Sequence, residues 1–377
     1  MKSILQTNVN LNSDVLYMAL ELSHKNWKLG FSNGVKHRVV TIVARDMFAL
    51  MQAIEKAKEK LFLEKDCKVF SCYEAGRDGF WIHRYLKEKE GIENYVIDSS
   101  SIEVSRRKKQ VKTDKVDVKA LLRLLMRFKS GEDEALRSIR VPTVEEEDLR
   151  RLHRERERLI KERGSHSARI KSLLVAQGIV VDKLSELNGI VTGSEQTLAG
   201  YEIPIDLKHE IIREYERYKL VSEQVKEIEK LQMERSKESS KAMDRVNQLM
   251  LLKSIGYQFS WVLVMEFLGW REFKNSKQVG SCAGLTPTPY DSGDSIREQG
   301  ISKAGNKRIR KMMIELSWLW LRHQPQSEIS EWFERRFAGG GKRMRRIGIV
   351  AMARKLLVSL WRYVEHGEIP AGAVLTA

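Results

Sequence analysis

The stretch that decides the fold of the first part of the chain is VLYMALELSHKNWKLGFSNGVKHRVVTIVA, residues 15–44. Residues 15–22 are a candidate apolar strand, and residues 25–31 alternate polar and apolar side chains with a period of two. A third strand candidate, 35–44, follows the Asn-Gly turn signal at 33–34. Because antiparallel neighbours need only short connections, these runs predict a three-stranded antiparallel meander.

Helices and strands alternate after this meander. The candidates are a helix at 46–63, a strand at 67–75 (CKVFSCYEA), a helix at 81–89, a strand at 94–100 (NYVIDSS) and a strong helix at 114–128 (DKVDVKALLRLLMRF). The order of three strands, helix, strand, helix, strand, helix predicts an α/β domain of ribonuclease H-like architecture over residues 1–144. In that architecture an acidic site lies at strand ends and on a late helix.

Residues 145–250 have a different character, because charges of both signs alternate along two long stretches. Apolar residues of the first stretch recur at helical intervals; they are Leu149, Leu152, Leu159 and Ile160. A second stripe recurs at three- and four-residue steps; it consists of Ile211, Tyr215, Tyr218, Val221, Val225 and Ile228. These narrow seams predict an antiparallel helical hairpin, a coiled-coil arm whose tip is the less regular segment 177–207.

Residues 251–377 form the third predicted domain, which is mainly α-helical. A helix, a tight turn at Gly256 and a second helix are expected within residues 251–273. A loop rich in Gly, Pro and Ser follows at 282–300, and two further helices, the last of them strongly basic, complete the chain.

The charge of the chain predicts a polyanionic partner. Lys and Arg outnumber Asp and Glu by 67 to 51, which gives a formal net charge of +16. Such an excess favours nucleic acid or an anionic membrane surface through counterion release. No run of 18 or more apolar residues occurs, and the N-terminal segment lacks the long apolar region of a signal peptide. We therefore expect no membrane partner.

The three cysteines, Cys67, Cys72 and Cys282, are odd in number and lack the spacing of a zinc site. A reduced, cytoplasmic protein is the expectation that fits this pattern.

Four acids stand where a metal site would need them. Glu21 lies within the first strand candidate, and Glu74 ends the buried strand just before Ala75-Gly76. Asp114 and Asp117 are three residues apart on the first turn of a predicted helix, so they share a face. Mg²⁺ prefers carboxylate, water and phosphate oxygens, and two such ions can stabilise both the attacking and the leaving oxygen at phosphorus. The four acids therefore predict a Mg²⁺ site for phosphoryl transfer.

Some of these acids also have an ordinary structural explanation. Glu21 fits the solvent-facing position of an amphipathic strand, and Asp114 fits a helix N-terminus, where the dipole favours an acid. Glu74 is less easily explained in this way. Each signal is weak alone, and the order of the acids along one fold is the argument for a shared site.

Ser292 is the candidate nucleophile. It lies in the loop segment Tyr-Asp-Ser-Gly at 290–293, ahead of a strongly basic helix. A nucleophilic serine needs an exposed hydroxyl, backbone freedom and positive charge to hold a phosphate. Gly293 supplies the freedom, and the basic residues nearby are Arg297, Lys303, Lys307, Arg308 and Arg310. Of these, Lys303, Lys307, Arg308 and Arg310 are the predicted nucleic-acid contacts.

The serine prediction leaves alternatives open. Asp-Ser-Gly is common turn chemistry, so residues 290–293 also fit a plain surface turn. No histidine is placed to form a local triad, so the proton of Ser292 goes either to a metal-bound hydroxide or to a carboxylate of the first domain. Ser302, in the ISKAGN turn at 301–306, is the second candidate serine, and its place before a basic helix suits phosphate binding better than attack.

Four stretches of the chain resemble a known family. They are MALELSHKNWKLGF (18–31), CYEAGRDGFWIHRYL (72–86), VKTDKVDVKALLRLL (111–125) and AGLTPTPYDSGDSIREQGISKAGNKRIRKMMIELSW (283–318). Over nearly its full length the chain resembles the insertion-sequence transposases that join an N-terminal RuvC-like DEDD domain to a C-terminal serine-bearing domain. The Piv-type site-specific invertases are relatives of that family, and some of its members are guided by a bridge RNA.

The resemblance implies roles for these residues. The implied metal-binding acids are Glu21, Glu74, Asp114 and Asp117, with Mg²⁺ as the cofactor. Ser292 is implied to attack a DNA phosphate and to form a transient phosphoserine link that is later reversed onto another strand. The implied partners are DNA, a structured bridge RNA and further copies of the chain, in a homodimer or homotetramer whose subunits complete each other's sites.

One position departs from the family pattern. The family usually has Asp at the first acidic position, where this chain has Glu21. Glutamate also ligates Mg²⁺, but its extra methylene means that the metal geometry must differ.

Two other functions compete with that of a DNA recombinase. The first is a RuvC-like junction-resolving nuclease, in which metal-activated water hydrolyses DNA and Ser292 only supports the structure. The second is a nucleic-acid-binding structural protein with an inactive site, for which the Glu21 departure leaves room. ATP hydrolysis is not expected, because the chain has no GxxxxGK[ST] phosphate loop.

Overall fold

The computed structural model describes the chain in six stretches, 15–76, 79–98, 114–184, 187, 201–292 and 295–376. For residues 89, 114–116, 289–292 and 295–299 it describes the backbone alone. The chain divides into two compact units, Met1–Pro142 and Thr143–Ala377. The boundary lies close to the predicted domain end at residue 144. The predicted division at residue 250 falls within the second unit and stays a prediction.

The first unit contains the predicted alternation of strands and helices. Its elements are β1 Val15–Leu22, β2 Asn26–Ser32, β3 His37–Val43, α1 Met47–Lys60, β4 Lys68–Glu74, α2 Trp81–Arg84, β5 Glu93–Ile97 and α3 Asp114–Lys129. A π-helical turn, Tyr85–Lys89, extends α2. The strand predicted for 94–100 ends at Ile97, and residues 99 and 100 lie outside the described residues.

The meander is confirmed, and the turn chemistry explains it. Asn33 and Gly34 make the turn between β2 and β3, with Gly34 at a φ of 93° that a residue with a Cβ rarely adopts. The Asn33 carboxamide oxygen accepts hydrogen bonds from the amides of Val35 and Lys36 at 3.1 and 2.9 Å. The Asp46 side chain then starts α1 by accepting from the amide of Ala49 at 2.8 Å.

The sheet is mixed, with strand order β3-β2-β1-β4-β5. The strands β1, β2 and β3 are antiparallel neighbours, whereas β1, β4 and β5 run parallel to one another. Parallel strands end at the same edge of a sheet. The carboxyl ends of β1, β4 and β5 therefore meet at one edge, and two of the four predicted acids, Glu21 and Glu74, stand there.

Each face of this sheet packs against a helix. The residues Leu16, Met18 and Leu20 of β1 share a core with α1, whereas Ala19 and Cys72 share another core with α3. Side chains alternate between faces along a strand. Glu21 and Glu74 therefore lie on the α3 side, because each follows Ala19 or Cys72 by two positions.

The contacts of α3 show which way it runs across the sheet. Near its end, Lys129 Nζ bonds Glu93 Oε1 at 3.0 Å and Phe128 packs against Tyr95 with ring centroids 5.3 Å apart. Glu93 is the first residue of β5. The helix thus ends at the edge where the parallel strands begin, and its first turn, which contains Asp117, lies toward the edge where they end.

The second unit is mainly helical. Its helices are α4 Val144–Asp148, α5 Arg151–Val175, α6 Ile205–Arg235, α7 Lys241–Met250, α8 Tyr257–Leu263, α9 Ser276–Cys282, α10 Lys307–His323, α11 Glu328–Phe333 and α12 Lys342–His366. Two π-helical turns, Val264–Leu268 and Glu334–Ala338, extend α8 and α11. A two-stranded hairpin consists of β6 Pro287–Ser292 and β7 Ser295–Ile301.

The helical arm is antiparallel, as its apolar seams predicted. Leu159, early in α5, packs with Val225 and Ile228, late in α6, whereas Ile170 packs with Ile211 near the start of α6. The seam also holds a buried acid, Glu214, which has basic partners on both helices: His166, Arg169 and Arg217 at 2.6, 2.9 and 2.7 Å. Whether the pair has coiled-coil geometry stays a prediction.

The segment 282–300 was expected to be a loop, and that expectation is wrong for most of it. Residues 287–292 and 295–301 form an antiparallel β-ribbon in which Tyr290 lies opposite Arg297. The Gly, Pro and Ser content pointed to a loop, but Thr, Tyr and Ile at intervening positions suit a strand. Gly293 and Asp294, between the strands, lie outside the described residues.

The C-terminal helices share one apolar core, to which α7, α8, α10 and α12 all contribute. Gly348 of α12 allows close packing, because a Cβ at that position would overlap the ring of Phe337. Within the part of the chain that the structure describes, no helix is long and apolar enough to cross a membrane.

Candidate active site and nucleic-acid interface

Glu21 and Glu74 lie at one cleft. The cleft has a volume of about 390 Å³ and opens at the edge where β1 and β4 end. Its lining consists of Leu20, Glu21, Leu22, Ser23, His24, Tyr73, Glu74, Ala75 and Gly76. Residues 53 positions apart in sequence are neighbours here because β1 and β4 pair in parallel, Leu20 beside Tyr73. The structure therefore brings two of the four predicted acids together, and below we name this site the carboxylate cleft.

The two carboxylates have different surroundings. Glu21 is half-buried and lies directly opposite Lys28 of β2, whereas Glu74 is exposed at the last position of β4. Directly opposed residues of antiparallel strands have Cβ atoms about 5 Å apart, so the Lys28 ammonium group can stabilise Glu21 as a carboxylate. The cost of an ionised acid in an apolar strand is thus offset within the protein.

Asp117 and Asp114 stand on the first turn of α3. Asp117 is half-buried, and the direction of α3 places it toward the edge of the sheet that holds the carboxylate cleft. The side chain of Asp114 lies outside the described part of the structure, so only its place as the first helical residue is defined.

The donor chemistry of the carboxylate cleft fits a hard divalent cation. Mg²⁺ is usually bound by one or two carboxylates together with water and substrate phosphate oxygens, and Glu21 and Glu74 supply such a pair. Among the side chains that the structure describes, which do not include that of Asp114, no three His, Cys, Asp or Glu come together as a metal-holding group. The cleft therefore offers two carboxylates, and a Mg²⁺ ion bound there would take its remaining oxygen ligands from water and from substrate phosphates.

Ser292 is the last residue of β6 and pairs with Ser295 of β7. The predicted nucleophile therefore stands next to the turn of the hairpin rather than in a free loop. Its hydroxyl, like the side chain of Arg297, lies outside what the structure describes. Ser302, the second candidate, is exposed and its amide bonds the carbonyl oxygen of Thr286 at 2.8 Å.

A large groove in the second unit was not predicted. It has a volume of about 1480 Å³ and is bounded by the hairpin, α11 and α12. Its lining contains nine basic side chains and a single acid, Glu328. The nine are Lys303, Arg335, Arg336, Lys342, Arg343, Arg346, Arg354, Lys355 and Arg362. We name this surface the basic groove.

The four predicted nucleic-acid contacts differ in their surroundings. Lys303 lines the basic groove, and Lys307 is exposed. Arg308 forms ion pairs within the protein, with Glu157 at 2.5 Å and Glu266 at 3.4 Å, and Arg310 donates to the carbonyl oxygen of Ala283 at 3.2 Å. These two arginines thus have structural partners that the sequence did not indicate.

Glu266 is the centre of a buried cluster that the sequence analysis missed. It is 4% exposed and accepts hydrogen bonds from His153 at 2.9 Å, from Arg154 at 2.7 and 3.0 Å, and from Asn306 at 3.2 Å. Asn306 is also the N-cap of α10, since its side chain accepts from the amides of Arg308 and Ile309. The cluster therefore joins the base of the helical arm to the start of α10.

Burial and hydrogen bonding oppose each other in this cluster. Burial alone would raise the pKa of Glu266, but hydrogen bonds from His153 and Arg154 outweigh it and hold that pKa far below its usual range. Burial lowers the pKa of His153, although its hydrogen bond to Glu266 acts in the opposite direction. Glu266 is therefore ionised and His153 neutral at pH 7.

Signals for both missed features exist in the sequence. In α12 basic residues recur from Lys342 to Arg362 among apolar ones, and only the fold shows that α11 and the hairpin bound the same space. Glu266 interrupts the apolar run VLVMEFLGW much as Glu21 interrupts β1. A lone acid in an apolar run thus marks two different structures in this chain.

Comparison with known proteins identifies relatives of one kind. Residues 246–330 match the model of the IS116/IS110/IS902 transposase family. Over 392 aligned positions, which cover 98% of this chain and 96% of the relative, the chain is 39% identical to a putative transposase, y4rJ, of Sinorhizobium fredii.

More distant relatives carry similar names. The chain is 24% identical to the transposase for insertion sequence element IS1533 of Leptospira borgpetersenii, over 81% of this chain and 84% of the relative. It is also 24% identical to the transposase for insertion sequence element IS1328 of Yersinia enterocolitica, over 60% of this chain and 66% of the relative.

Proposed function

This chain belongs to the IS116/IS110/IS902 family of transposases, enzymes that act on DNA, and on that premise we propose that it cleaves and rejoins DNA strands through Ser292. In this proposal Mg²⁺ at the carboxylate cleft assists the reaction. In this proposal the first unit has a ribonuclease H-like architecture of RuvC type, and the order of its strands and helices supports that part of the proposal.

The observation that supports this proposal best is the shared cleft of Glu21 and Glu74. These acids are far apart in sequence, they differ in burial, and they lie together at the carboxyl edge of the sheet. Asp117 lies toward the same edge, and Asp114 precedes it on the same helical turn. In this proposal all four acids hold Mg²⁺.

The carboxylate cleft has one role in this proposal. When bound there, Mg²⁺ supplies positive charge that stabilises the negative charge developing on phosphate oxygens. Glu21 and Glu74 hold and orient the ion, and Lys28 lies opposite Glu21 on the neighbouring strand. Glu21 stands where the resemblance implies an aspartate. The pairing of β1 with β4 fixes its backbone position, so its longer side chain must reach the metal ion from there.

Ser292 has the second role. Its Oγ attacks the phosphorus of a DNA phosphodiester, a bond forms between Oγ and phosphorus, and the bond from phosphorus to one sugar oxygen breaks. The leaving sugar oxygen takes a proton, and the serine proton passes to a general base. Rejoining reverses the exchange, because a sugar hydroxyl of the receiving strand attacks the phosphoserine and Oγ regains its proton. The number of phosphoester bonds is conserved, so no ATP is needed.

The proposal includes two partners besides DNA. A structured bridge RNA guides the chain to its sites, and the chain acts as a homodimer or homotetramer. Support for the RNA comes from the family resemblance together with the net charge of +16. Sequencing of RNA that copurifies with the full-length chain tests it: a discrete species from the flanks of the chain's own element is expected, and random host RNA would contradict it.

Trapping a covalent protein–DNA adduct tests the serine mechanism. Wild-type protein, incubated with Mg²⁺ and labelled DNA spanning the ends of its element, should form an adduct that survives denaturation. Mass spectrometry should place the phosphate on Ser292. Ser292→Ala should form no adduct, and Ser302→Ala is the matched control that should still form it.

The same experiment separates the proposal from the main alternative, a junction-resolving nuclease that uses water. In that case Ser292→Ala would cut DNA at the wild-type rate and no adduct would appear. Cutting at that rate by the Ser292→Ala variant would overturn the serine mechanism while leaving the role of the carboxylate cleft in place.

A further inference from the structure

The basic groove is lined by two kinds of side chain. Besides the nine basic residues, its lining contains apolar ones. Among these, Met344 and Ile347 are 44% and 45% exposed, and Trp332 is half-buried. Exposed apolar side chains that adjoin one another normally mark a binding surface.

The cations of the basic groove lack acidic partners within the described part of the chain. Among the described residues, no acidic side chain forms an ion pair with any of the nine. Elsewhere in the same unit the arginines that serve the fold do have acidic partners, as Arg154 and Arg308 have Glu266. The groove therefore presents uncompensated positive charge, which calls for a polyanion.

The charge is also arranged in a line. Lys342, Arg346, Arg354 and Arg362 all line the groove and all belong to α12. The twenty residue steps from the first to the last of them span about 30 Å at a helical rise of about 1.5 Å per residue. A linear polyanion can therefore follow the helix, and a compact anion would use only a fraction of the groove.

The apolar part of the lining distinguishes between forms of nucleic acid. A duplex presents phosphates outward and keeps its base faces stacked inside, so it would leave Met344 and Ile347 without an apolar partner. A single strand exposes base faces along with its phosphates, and base faces stack on aromatic rings and on arginine planes. Trp332 offers such a ring, with Lys355 Nζ 4.7 Å from its centroid.

We propose that the basic groove binds a single-stranded segment of nucleic acid, with its phosphates along α12 and its bases against Trp332, Met344 and Ile347. Ser292 is the last residue of β6, the first strand of the hairpin. The same hairpin contributes Pro287, Gly300 and Ile301 to the groove. The bound strand thus passes the base of that hairpin. This inference rests on the family membership, and it depends neither on Ser292 as nucleophile nor on Mg²⁺.

Fluorescence anisotropy of the full-length chain tests the proposal. The ligands are a labelled 15-nucleotide DNA strand of mixed sequence, the RNA strand of the same sequence, and the corresponding DNA duplex. Measurements in EDTA with the Ser292→Ala chain exclude cleavage, so failure of the serine mechanism cannot affect them. We expect a Kd for one or both single strands at least about tenfold lower than for the duplex at equal salt.

Two variants test the apolar and the basic side chains of the groove separately. Trp332→Ala should weaken single-strand binding about tenfold with little effect on the duplex, and Trp332→Phe should restore most of it. The control is Trp318→Ala, because Trp318 is 42% exposed on α10 and does not line the groove. Replacing both Arg343 and Arg346 by Glu should weaken binding of every nucleic acid and reduce its salt dependence.

The arms have distinct outcomes. If Trp332→Ala weakens the binding of only the DNA strand or only the RNA strand, that strand is the one that contacts Trp332. Equal or tighter binding of the duplex, or equal loss of duplex and single strand in Trp332→Ala, would overturn the proposal in favour of a duplex site. Unchanged affinities in the double Arg variant would show that the groove takes another partner, such as an acidic protein segment. Unchanged melting temperatures confirm that the exposed-site variants are folded.

Discussion

The two units of this protein differ in which charged side chains they expose. In the first unit the carboxylate cleft keeps two acids together at the end of parallel strands, where Glu74 is exposed to solvent. In the second unit Glu266 is surrounded by cations and buried, while the nine cations of the basic groove have no acidic partner among the described residues. Charges that the fold needs are paired, and charges that remain unpaired are available to a ligand. For the cations of the second unit, the lack of an acidic partner among the described residues is therefore the better guide to a binding surface.

The largest expected effect is a loss of DNA cleavage when an acid of the carboxylate cleft is replaced. Glu74→Gln removes a charged ligand, and metal assistance in phosphoryl transfer contributes several kcal/mol to the barrier. Since each 1.36 kcal/mol is tenfold, the rate of DNA strand cleavage should fall about 1,000-fold. A gel assay of strand cleavage at saturating Mg²⁺ measures it, and EDTA should have a similar effect on the wild type.

The matched control for this prediction is Glu64→Gln, because Glu64 is an exposed acid of the same unit that does not line the carboxylate cleft. Nucleic-acid affinity measured in EDTA should be unchanged in both variants, because the basic groove belongs to the second unit. Wild-type cleavage by Glu74→Gln would show that the carboxylate cleft is not the metal site.

The next largest effect concerns stability, and it compares the buried acid Glu266 with the exposed acid Glu74. Glu266→Ala leaves His153, Arg154 and Arg308 without their shared partner, and breaking a buried ion pair in this way costs about 3 kcal/mol. Glu74→Ala removes an exposed acid and should change the free energy of unfolding by less than about 0.5 kcal/mol. Urea denaturation at pH 7 measures both. A similar loss for the two variants would mean that exposure does not separate structural from functional acids.

The smallest effect concerns pH. The native state holds the pKa of Glu266 and of His153 below their usual values, so the unfolded chain binds more protons as the pH falls. Stability should therefore decline below about pH 6.5 as the unfolded His153 protonates, and decline further below about pH 4.3 through Glu266. Urea denaturation from pH 7.5 to pH 4 tests the sign, and Glu266→Gln should show a shallower decline near pH 4. A rise in stability over this range would contradict the assigned ionisation states.

Local sequence patterns predicted most of the elements. The Asn33-Gly34 turn, the period-two strands beside it and the amphipathic stripes of the arm are each determined by neighbours in sequence, and the structure confirms them. The segment 282–300 was mispredicted because its Gly, Pro and Ser content outweighed its strand-forming residues, whereas pairing between β6 and β7 decides the outcome. Such pairing depends on residues that lie across the ribbon.

For the candidate site, too, the sequence indicated some features and tertiary structure decided others. Residue identity pointed to Glu21 and Glu74, and only the parallel pairing of β1 with β4 put them at one cleft. Arg308 and Arg310 looked like nucleic-acid contacts because they sit in a basic run, yet one pairs with Glu157 and Glu266 and the other bonds Ala283. The sequence shows that a charged side chain is present, but it does not show whether that side chain already has an ion-pair or hydrogen-bond partner within the protein.

The sequence alone determined the kinds of chemistry available to this protein: its positive charge, its ordered acids, its serine and the periods of its strands and helices. These follow from residue types and short-range spacing, which local backbone geometry converts directly into strands, helices and faces. Tertiary structure alone decided which acids meet at the carboxylate cleft, which charges pair with one another, and which cations line the basic groove without an acidic partner among the described residues. The reason is physical, because charge interactions depend on distance and burial, and both are set by contacts between residues far apart along the chain.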